Sequence, residues 1–170
     1  MSGSKGDLTH FDTAGRARMV DVSGKDDTVR VAVARGEIHM LPETMARIQE
    51  GRIKKGDVLA VADVAAVMGA KHTPDLIPMC HPLMLSGVGV EFDEKEAHAA
   101  DGRAVLGVQV SVKCAGPTGV EMEALTAVSA ALLTVYDMCK AMDRGMTLTR
   151  IELVEKSGGK SGHYKRNSGA

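Results

Sequence analysis

The strongest constraint on the fold is the alternation of apolar and polar side chains in the segment RAVLGVQVSVKC. Every second residue from Val108 to Val112 is valine, and the residues between them, Gln109 and Ser111, are polar. This period of two predicts a β-strand whose two faces differ. The segment TVRVAVARGEI (residues 28–38) alternates in a similar way. Further strands are predicted at residues 17–22, 87–92 and 147–155.

Residues that favour helix ends separate these strands. Pro42 suits the first position of a helix that stops at Gly51, and Asp57 is a plausible N-cap for a helix that runs to about Lys71. The longest predicted helix has a capping-box pattern at Thr118 and Glu121, and Gly145 is its expected stop. Three prolines in TPDLIPMCHPLML argue against regular helix in that segment. The predicted helices are residues 42–51, 57–71 and 120–145.

The resulting order is strand, helix in two pieces, strand, strand, helix, strand. It predicts an α+β, ferredoxin-like β-α-β-β-α-β fold, an antiparallel sheet with helices packed on one face. With 170 residues, the chain is expected to form a single domain over residues 1–170. Residues 1–12 and 163–170 are expected to be flexible.

Composition excludes several classes of function. The chain has a net charge of −1, two Phe, two Tyr and no Trp, which argues against a nucleic-acid partner that binds through basic patches or stacked bases. Cys80, Cys114 and Cys139 lie far apart, as is usual in a reducing compartment. No apolar run approaches 18 residues, and the N-terminus lacks a signal-peptide pattern. We expect a soluble cytoplasmic protein with no membrane partner.

The segment VEKSGGKSGHY near the C-terminus resembles the end of a phosphate-binding Walker A loop. That motif requires a glycine five residues before Gly159, where this chain has Val154. Only ten residues follow Lys160, which is too few for the helix and strands of that fold. The Walker A interpretation is therefore rejected.

The loop Pro78-Met79-Cys80-His81-Pro82 is a first candidate site, because the two prolines fix the direction of the residues between them. A neighbouring Cys and His suggest nucleophilic catalysis or zinc binding. Zinc would need a second ligand pair at matching spacing, and the sequence offers none nearby. A rigid loop with an incidental histidine is the alternative.

The longest predicted helix carries acidic residues at its start and an acid–base pair at its end. Asp137 and Lys140 are three residues apart and so share a helical face, although such a pair is often only a solvated ion pair. Glu123 and Asp137 are fourteen residues apart, which places them about 21 Å apart along a helix. If both ends serve one small substrate, a second subunit is expected to complete the site.

Several cations come from separate segments of the chain. Such a set suits a polyphosphate, because each Lys acts as a point charge and Arg can bind two oxygens. Scattered surface charge is the alternative interpretation. The cations in question are Arg30, Lys55, Lys156 and Lys160.

Six segments together resemble one known family, the cyclic pyranopterin monophosphate synthases of molybdenum cofactor biosynthesis. They are THFDTAGRARMVDV, KGDVLAVADVA, DLIPMCHPLMLS, TGVEMEALTA, YDMCKA and KSGGKSG, and they extend from Thr9 to Gly162. The resemblance implies a ferredoxin-like lyase that rearranges 3′,8-cyclo-7,8-dihydro-GTP to cyclic pyranopterin monophosphate and releases pyrophosphate. It also implies a homohexamer, a trimer of dimers, with active sites at the dimer interfaces.

The resemblance assigns roles to individual residues. Asp137 matches the general acid/base, with Lys140 beside it, and Lys156 matches a catalytic or phosphate-binding lysine, while the role of Lys160 stays open. No tightly bound cofactor and no protein-bound metal are expected, although Mg²⁺ is compatible with the triphosphate. The competing hypothesis is an oligomeric ferredoxin-like module that binds nucleotides or RNA without chemistry. The matched substrate-binding and pocket residues are Met79, Cys80, His81, Met122, Glu123, Glu121, Lys55 and Arg30.

Overall fold

The computed structural model describes residues 15–51, 57–93, 101–160 and 162–167. The chain order of its elements agrees with the predicted one, with two short additions, α3 and β5. The elements are β1 (Thr28–Met40), α1 (Pro42–Gln49), α2 (Val58–Lys71), α3 (Thr73–Leu76), β2 (Leu85–Asp93), β3 (Ala104–Gly116), α4 (Glu121–Cys139), β4 (Thr147–Ser157) and β5 (Tyr164–Lys165).

The strands form one five-stranded sheet in the order β2-β3-β1-β4-β5. Every neighbouring pair is antiparallel. The two central strands bury every second residue, as in β3, where Leu106, Val108, Val110 and Val112 are at most 2% exposed. One face of the sheet is therefore covered by helices, and the predicted α+β ferredoxin-like fold is confirmed.

Two glycines allow α4 to approach its neighbours closely. A Cβ at Gly36 of β1 would lie 2.7 Å from Val128 Cγ1 and 2.8 Å from Leu132 Cδ1, both on α4. A Cβ at Gly69 of α2 would lie 2.8 Å from Ala130 Cβ on the same helix. Packed interiors tolerate such overlaps poorly, so the two glycines set the distance of α4 from the sheet and from α2.

Helix α4 is long and apolar enough, by length and composition alone, to cross a membrane, with a mean hydropathy of 1.3 over its most apolar window. Half of that window is buried inside the fold. The helix packs against α2 and against strands β1, β3 and β4. Its apolar character thus serves the core of this domain.

Several predicted element ends were wrong. Within the described range 15–51, residues 18–22 form no strand, and only Ala17 makes an isolated bridge. The proline-rich segment contains the four-residue helix α3, because Pro74 lies in its first turn, where the missing N–H is not needed. The N-cap of α4 is Val120 rather than Thr118, since the Glu121 carboxylate faces a lysine instead of capping the helix.

The C-terminal end of α4 also differs from the prediction. The helix ends at Cys139, six residues before Gly145. The buried Asp143 carboxylate accepts backbone N–H bonds from Leu41 (2.8 Å) and Gly145 (2.9 Å), which fixes a turn after the helix. Strand β5 was not predicted, and it falls within the segment expected to be flexible. The single-domain assignment and the flexibility of residues 1–12 and 163–170 stay predictions.

Candidate functional site

Two adjoining cavities meet at the N-terminus of α4. The first, called here the α4 pocket, has a volume of about 410 Å³. The second, called here the basic groove, has a volume of about 630 Å³. They share Lys25, Thr118, Gly119 and Glu121. The α4 pocket is lined by Val20, Val22, Lys25, Met79, Cys80, His81, Leu83, Thr118, Gly119, Glu121, Met122 and Glu123.

The α4 pocket contains all six substrate-binding residues predicted from the proline-flanked loop and the helix start. That loop, which follows α3, supplies Met79, Cys80 and His81. The His81 Nε2 atom lies 2.9 Å from the backbone oxygen of Val20. It therefore donates to that carbonyl and ties the N-terminal segment to the pocket wall.

The α4 pocket contains a buried carboxyl group, that of Glu123, which is only 3% exposed. Burial raises the pKa of this carboxyl, and the neighbouring Glu121 raises it further, while a backbone hydrogen bond acts in the opposite direction. A carboxyl with a raised pKa can hold a proton and donate it to a bound ligand.

Cys80 responds to the same environment. Burial raises the pKa of its thiol, and the Glu123 carboxylate raises it further. A nucleophilic cysteine needs a lowered pKa, because the thiolate is the reactive form. The site thus favours Cys80 as a contact group rather than as a nucleophile.

The basic groove adjoins this pocket on the side of β1 and β4. Arg30 donates from Nε to the oxygen of Gly116 and from Nη2 to the oxygen of Pro117, both at 3.2 Å. These bonds hold the loop that leads into α4. The Lys156 ammonium lies 3.7 Å from the Glu121 carboxylate and is 15% exposed. The groove is lined by Lys25, Asp26, Thr28, Arg30, Pro117, Thr118, Gly119, Glu121, Gly159 and Lys160.

Two glycines explain how the chain returns over the groove after β4. Gly158 has φ +94° and Gly159 has φ +72°, values that L side chains rarely adopt. A Cβ at Gly158 would overlap the carbonyl oxygen of Val29, and one at Gly159 would overlap the Arg30 guanidinium. The glycines let the chain cross β1 in contact with it, and they bring Lys160 to the groove.

Asp137 and Lys140 lie at the opposite end of α4. They form an ion pair with each other, and their side chains are 58% and 52% exposed. Neither is among the described residues that line the two cavities. Fourteen residues of helix separate Asp137 from Glu123, about 21 Å at 1.5 Å per residue. One chain therefore does not bring the predicted acid/base pair to the pocket, and Lys55 lies outside the described residues.

Lys25 is a lining residue of the candidate site that the sequence did not reveal. It lines both cavities and follows the segment that His81 holds. Its neighbours Asp26 and Asp27 make the sequence look like a solvated turn. The pattern SGKDDT alone carries no signal that separates Lys25 from ordinary surface lysines.

Comparison with known proteins identifies the family of the chain. Residues 19–159 match the model of the MoaC family. Three similar proteins are each named cyclic pyranopterin monophosphate synthase: those of Heliobacterium modesticaldum (59% identical, covering 94% of this chain and 97% of that one), Listeria innocua (56%, covering 95% and 97%) and Brevibacillus brevis (60%, covering 94% and 96%). The resemblance found in the sequence is confirmed, and the chain belongs to the MoaC family.

Proposed function

We propose that this chain is a cyclic pyranopterin monophosphate synthase of molybdenum cofactor biosynthesis. It converts 3′,8-cyclo-7,8-dihydro-GTP to cyclic pyranopterin monophosphate and pyrophosphate. The observation that carries the proposal is the junction of the α4 pocket with the basic groove at Gly119 and Glu121. A substrate that joins a purine-derived ring to a triphosphate needs a concave ring pocket next to a cluster of cations.

The basic groove takes the triphosphate. Lys25, Arg30 and Lys160 line it, and Lys156 stands beside it at Glu121. When the cyclic phosphate forms, a sugar hydroxyl oxygen bonds to the α-phosphorus and the bond to the bridging oxygen breaks. The pyrophosphate leaves with that oxygen, and the hydroxyl proton passes to a base. Cations near the bridging oxygen stabilise the charge that develops on it.

The α4 pocket takes the ring system. Met79, Cys80 and Met122 offer polarizable contacts, and His81 and Glu123 offer groups that exchange protons. Opening one ring and closing another requires several proton transfers. A buried carboxyl whose pKa is raised suits the donation of a proton to a ring nitrogen.

Asp137 and Lys140 act as the acid/base pair of a neighbouring chain's pocket. This assignment rests on the family resemblance and on the length of α4, which keeps the pair about 21 Å from its own Glu123. It requires an oligomer, and we propose a homohexamer built as a trimer of dimers with shared sites. Displacement of pyrophosphate by an internal hydroxyl, without water, makes the enzyme a phosphorus–oxygen lyase. We propose a cytoplasmic location and no tightly bound cofactor.

The direct test is incubation with 3′,8-cyclo-7,8-dihydro-GTP, with pyrophosphate and pterin measured together. We expect both products in equal amounts from the wild type. Lys156→Ala should lower kcat/KM by about 10²- to 10⁴-fold, the range for loss of a group that stabilises the transition state. Lys71→Ala is the matched control, because it removes a lysine from α2 that lines neither cavity among the described residues. Binding without turnover by the wild type would favour the non-catalytic module instead.

A second experiment tests whether Glu123 and Asp137 of different chains serve one site. Glu123→Ala and Asp137→Ala are purified separately, then mixed under conditions that exchange subunits. If the two residues serve one site from different chains, some sites in the mixture combine two intact halves, and activity returns. Mixed assemblies that are shown to form and yet stay inactive would contradict the shared site.

A further inference from the structure

The segment after β4 forms a hairpin whose return strand lies beyond the residues matched by the family model, which end at Gly159. The chain turns through Gly158 and Gly159, and the N–H of Gly162 donates to the oxygen of Gly159 at 3.2 Å. Strand β5 then pairs with β4, with Tyr164 opposite Lys156. The return strand therefore lies directly beside Lys156, the lysine that stands next to the basic groove at Glu121.

Arg166, directly after β5, makes three contacts that close this hairpin. Its backbone N–H donates to the oxygen of Val154 at 2.8 Å, and its Nε donates to the oxygen of Leu153 at 2.9 Å. Its Nη1 lies 3.4 Å from the Glu152 carboxylate. Hydrogen bonds from a guanidinium are charge-assisted and stronger than neutral ones. Arg166 thus links the end of β5 to three consecutive residues of β4, to Val154 through its backbone and to Leu153 and Glu152 through its side chain.

The Glu152 carboxylate that Arg166 contacts is held in place by a second arginine. Arg35 of β1 donates to it from Nε at 2.7 Å. That hydrogen bond is the largest cause of the lowered pKa of Glu152, and the charges of Arg35, Arg166 and Arg150 contribute. The carboxylate is charged at neutral pH and already attached to the centre of the sheet. Arg166 therefore ties the tail to β1 through β4.

We propose that Arg166 is a positioning residue that holds Lys156 and Lys160 at the basic groove by closing the β4–β5 hairpin. With the hairpin closed, the backbone of Lys156 lies between Ala32 of β1 and Tyr164 of β5. With the hairpin open, β4 becomes the edge of the sheet. The loop that carries Lys160 is then held by β4 at one end and no longer by the β4–β5 pairing at the other. The role assigned to the groove rests on the proposed function.

The experiment measures the affinity of the full-length protein for inorganic pyrophosphate by calorimetry, together with kcat and KM. Arg166→Ala should weaken pyrophosphate binding about tenfold, because misplaced cations lose part of their attraction for the phosphates. KM should rise by a similar factor, and kcat should fall less. Arg166→Lys keeps a charge near Glu152 and should recover part of the affinity. Lys165→Ala is the matched control, since it removes a cation from β5 without touching Glu152 or Leu153 and should bind as the wild type does.

Amide hydrogen-exchange rates of residues 153–166 show whether the β4–β5 hairpin is closed. Faster exchange in Arg166→Ala together with weaker pyrophosphate binding supports the proposal. Faster exchange with unchanged affinity and unchanged KM overturns it, as does equal weakening by Lys165→Ala, which would indicate a general charge effect. Failure of the wild type to release pyrophosphate from the cyclo-dihydro-GTP would overturn the proposed function instead, and the pyrophosphate and exchange measurements do not depend on that result.

Discussion

Replacing Gly158 by alanine should destabilise the protein and weaken its phosphate site at the same time. Gly158 has φ +94°, and a Cβ there would overlap the backbone oxygen of Val29. A backbone atom of β1, which is paired with β3 at this position, cannot rotate away as a side chain can. The loop has to lift from β1, and Lys160, which the same loop carries into the groove, moves with it.

Gly162 provides a matched control for the size of the effect. It also has a positive φ, +69°, but a Cβ there would meet nothing within 4 Å. Gly162→Ala should cost about 1–2 kcal/mol for the left-handed conformation, less about 0.4–1 kcal/mol for the entropy that alanine removes from the unfolded chain. Gly158→Ala adds steric overlap, for which about 1–3 kcal/mol is typical. The difference between the two variants therefore measures the steric overlap at Gly158, chiefly with the Val29 oxygen and also with Arg30 Cδ at 3.2 Å.

Urea unfolding at one protein concentration gives the free energies of unfolding, and pyrophosphate titration gives the affinity. We expect Gly158→Ala to be about 1–3 kcal/mol less stable than Gly162→Ala and to bind pyrophosphate more weakly. Equal free energies of unfolding for the two variants would refute the steric argument. Unchanged pyrophosphate affinity in Gly158→Ala would refute the link between the loop and the groove.

Three further predictions concern α4. Gly36→Ala should lower the free energy of unfolding by about 1–3 kcal/mol, because its Cβ meets Val128 and Leu132; an unchanged urea midpoint would contradict this. Asp143→Ala leaves two backbone N–H groups without their acceptor, so about 1–3 kcal/mol of stability should be lost, and Asp143→Asn should lose less. Burial raises the pKa of Glu123, so the folded protein favours the protonated side chain. The contribution of Glu123 to the free energy of unfolding is therefore complete below its unfolded pKa and is lost as pH rises through its folded pKa. Glu123→Gln should therefore gain stability relative to the wild type between acid and neutral pH, and parallel pH profiles would contradict this.

The parts of the fold that follow from local patterns were predictable. The alternation around Val110 marks β3, and Pro42 and Asp57 mark the starts of α1 and α2, where Asp57 accepts the N–H of Ala60 at 3.0 Å. Contacts between distant segments were not predictable in this way. Glu121 has the spacing of a capping residue, but it faces Lys156, which is 35 positions further along the chain.

The candidate site likewise contains residues that could be assigned from the sequence and residues that could not. Met79 and Met122 could be assigned because their motifs resemble a known family, and both line the α4 pocket. Lys25 was missed, because the sequence does not show that the segment around it lies against the pocket, where His81 bonds to the Val20 oxygen. Arg166 was missed for a similar reason. Its contacts exist only after β5 folds back on β4, and a two-residue strand leaves no periodic pattern in the sequence.

The packing of α4 limits where the chemistry can take place. Gly36 and Gly69 hold the helix against β1 and α2, so it cannot bend to bring its two ends together. Asp137 is 58% exposed in a single chain, and an ion pair in that setting is well solvated and weak. Proton transfer by such a pair becomes effective when other groups exclude water and fix the geometry. A second chain placed over Asp137 and Lys140 would supply both conditions.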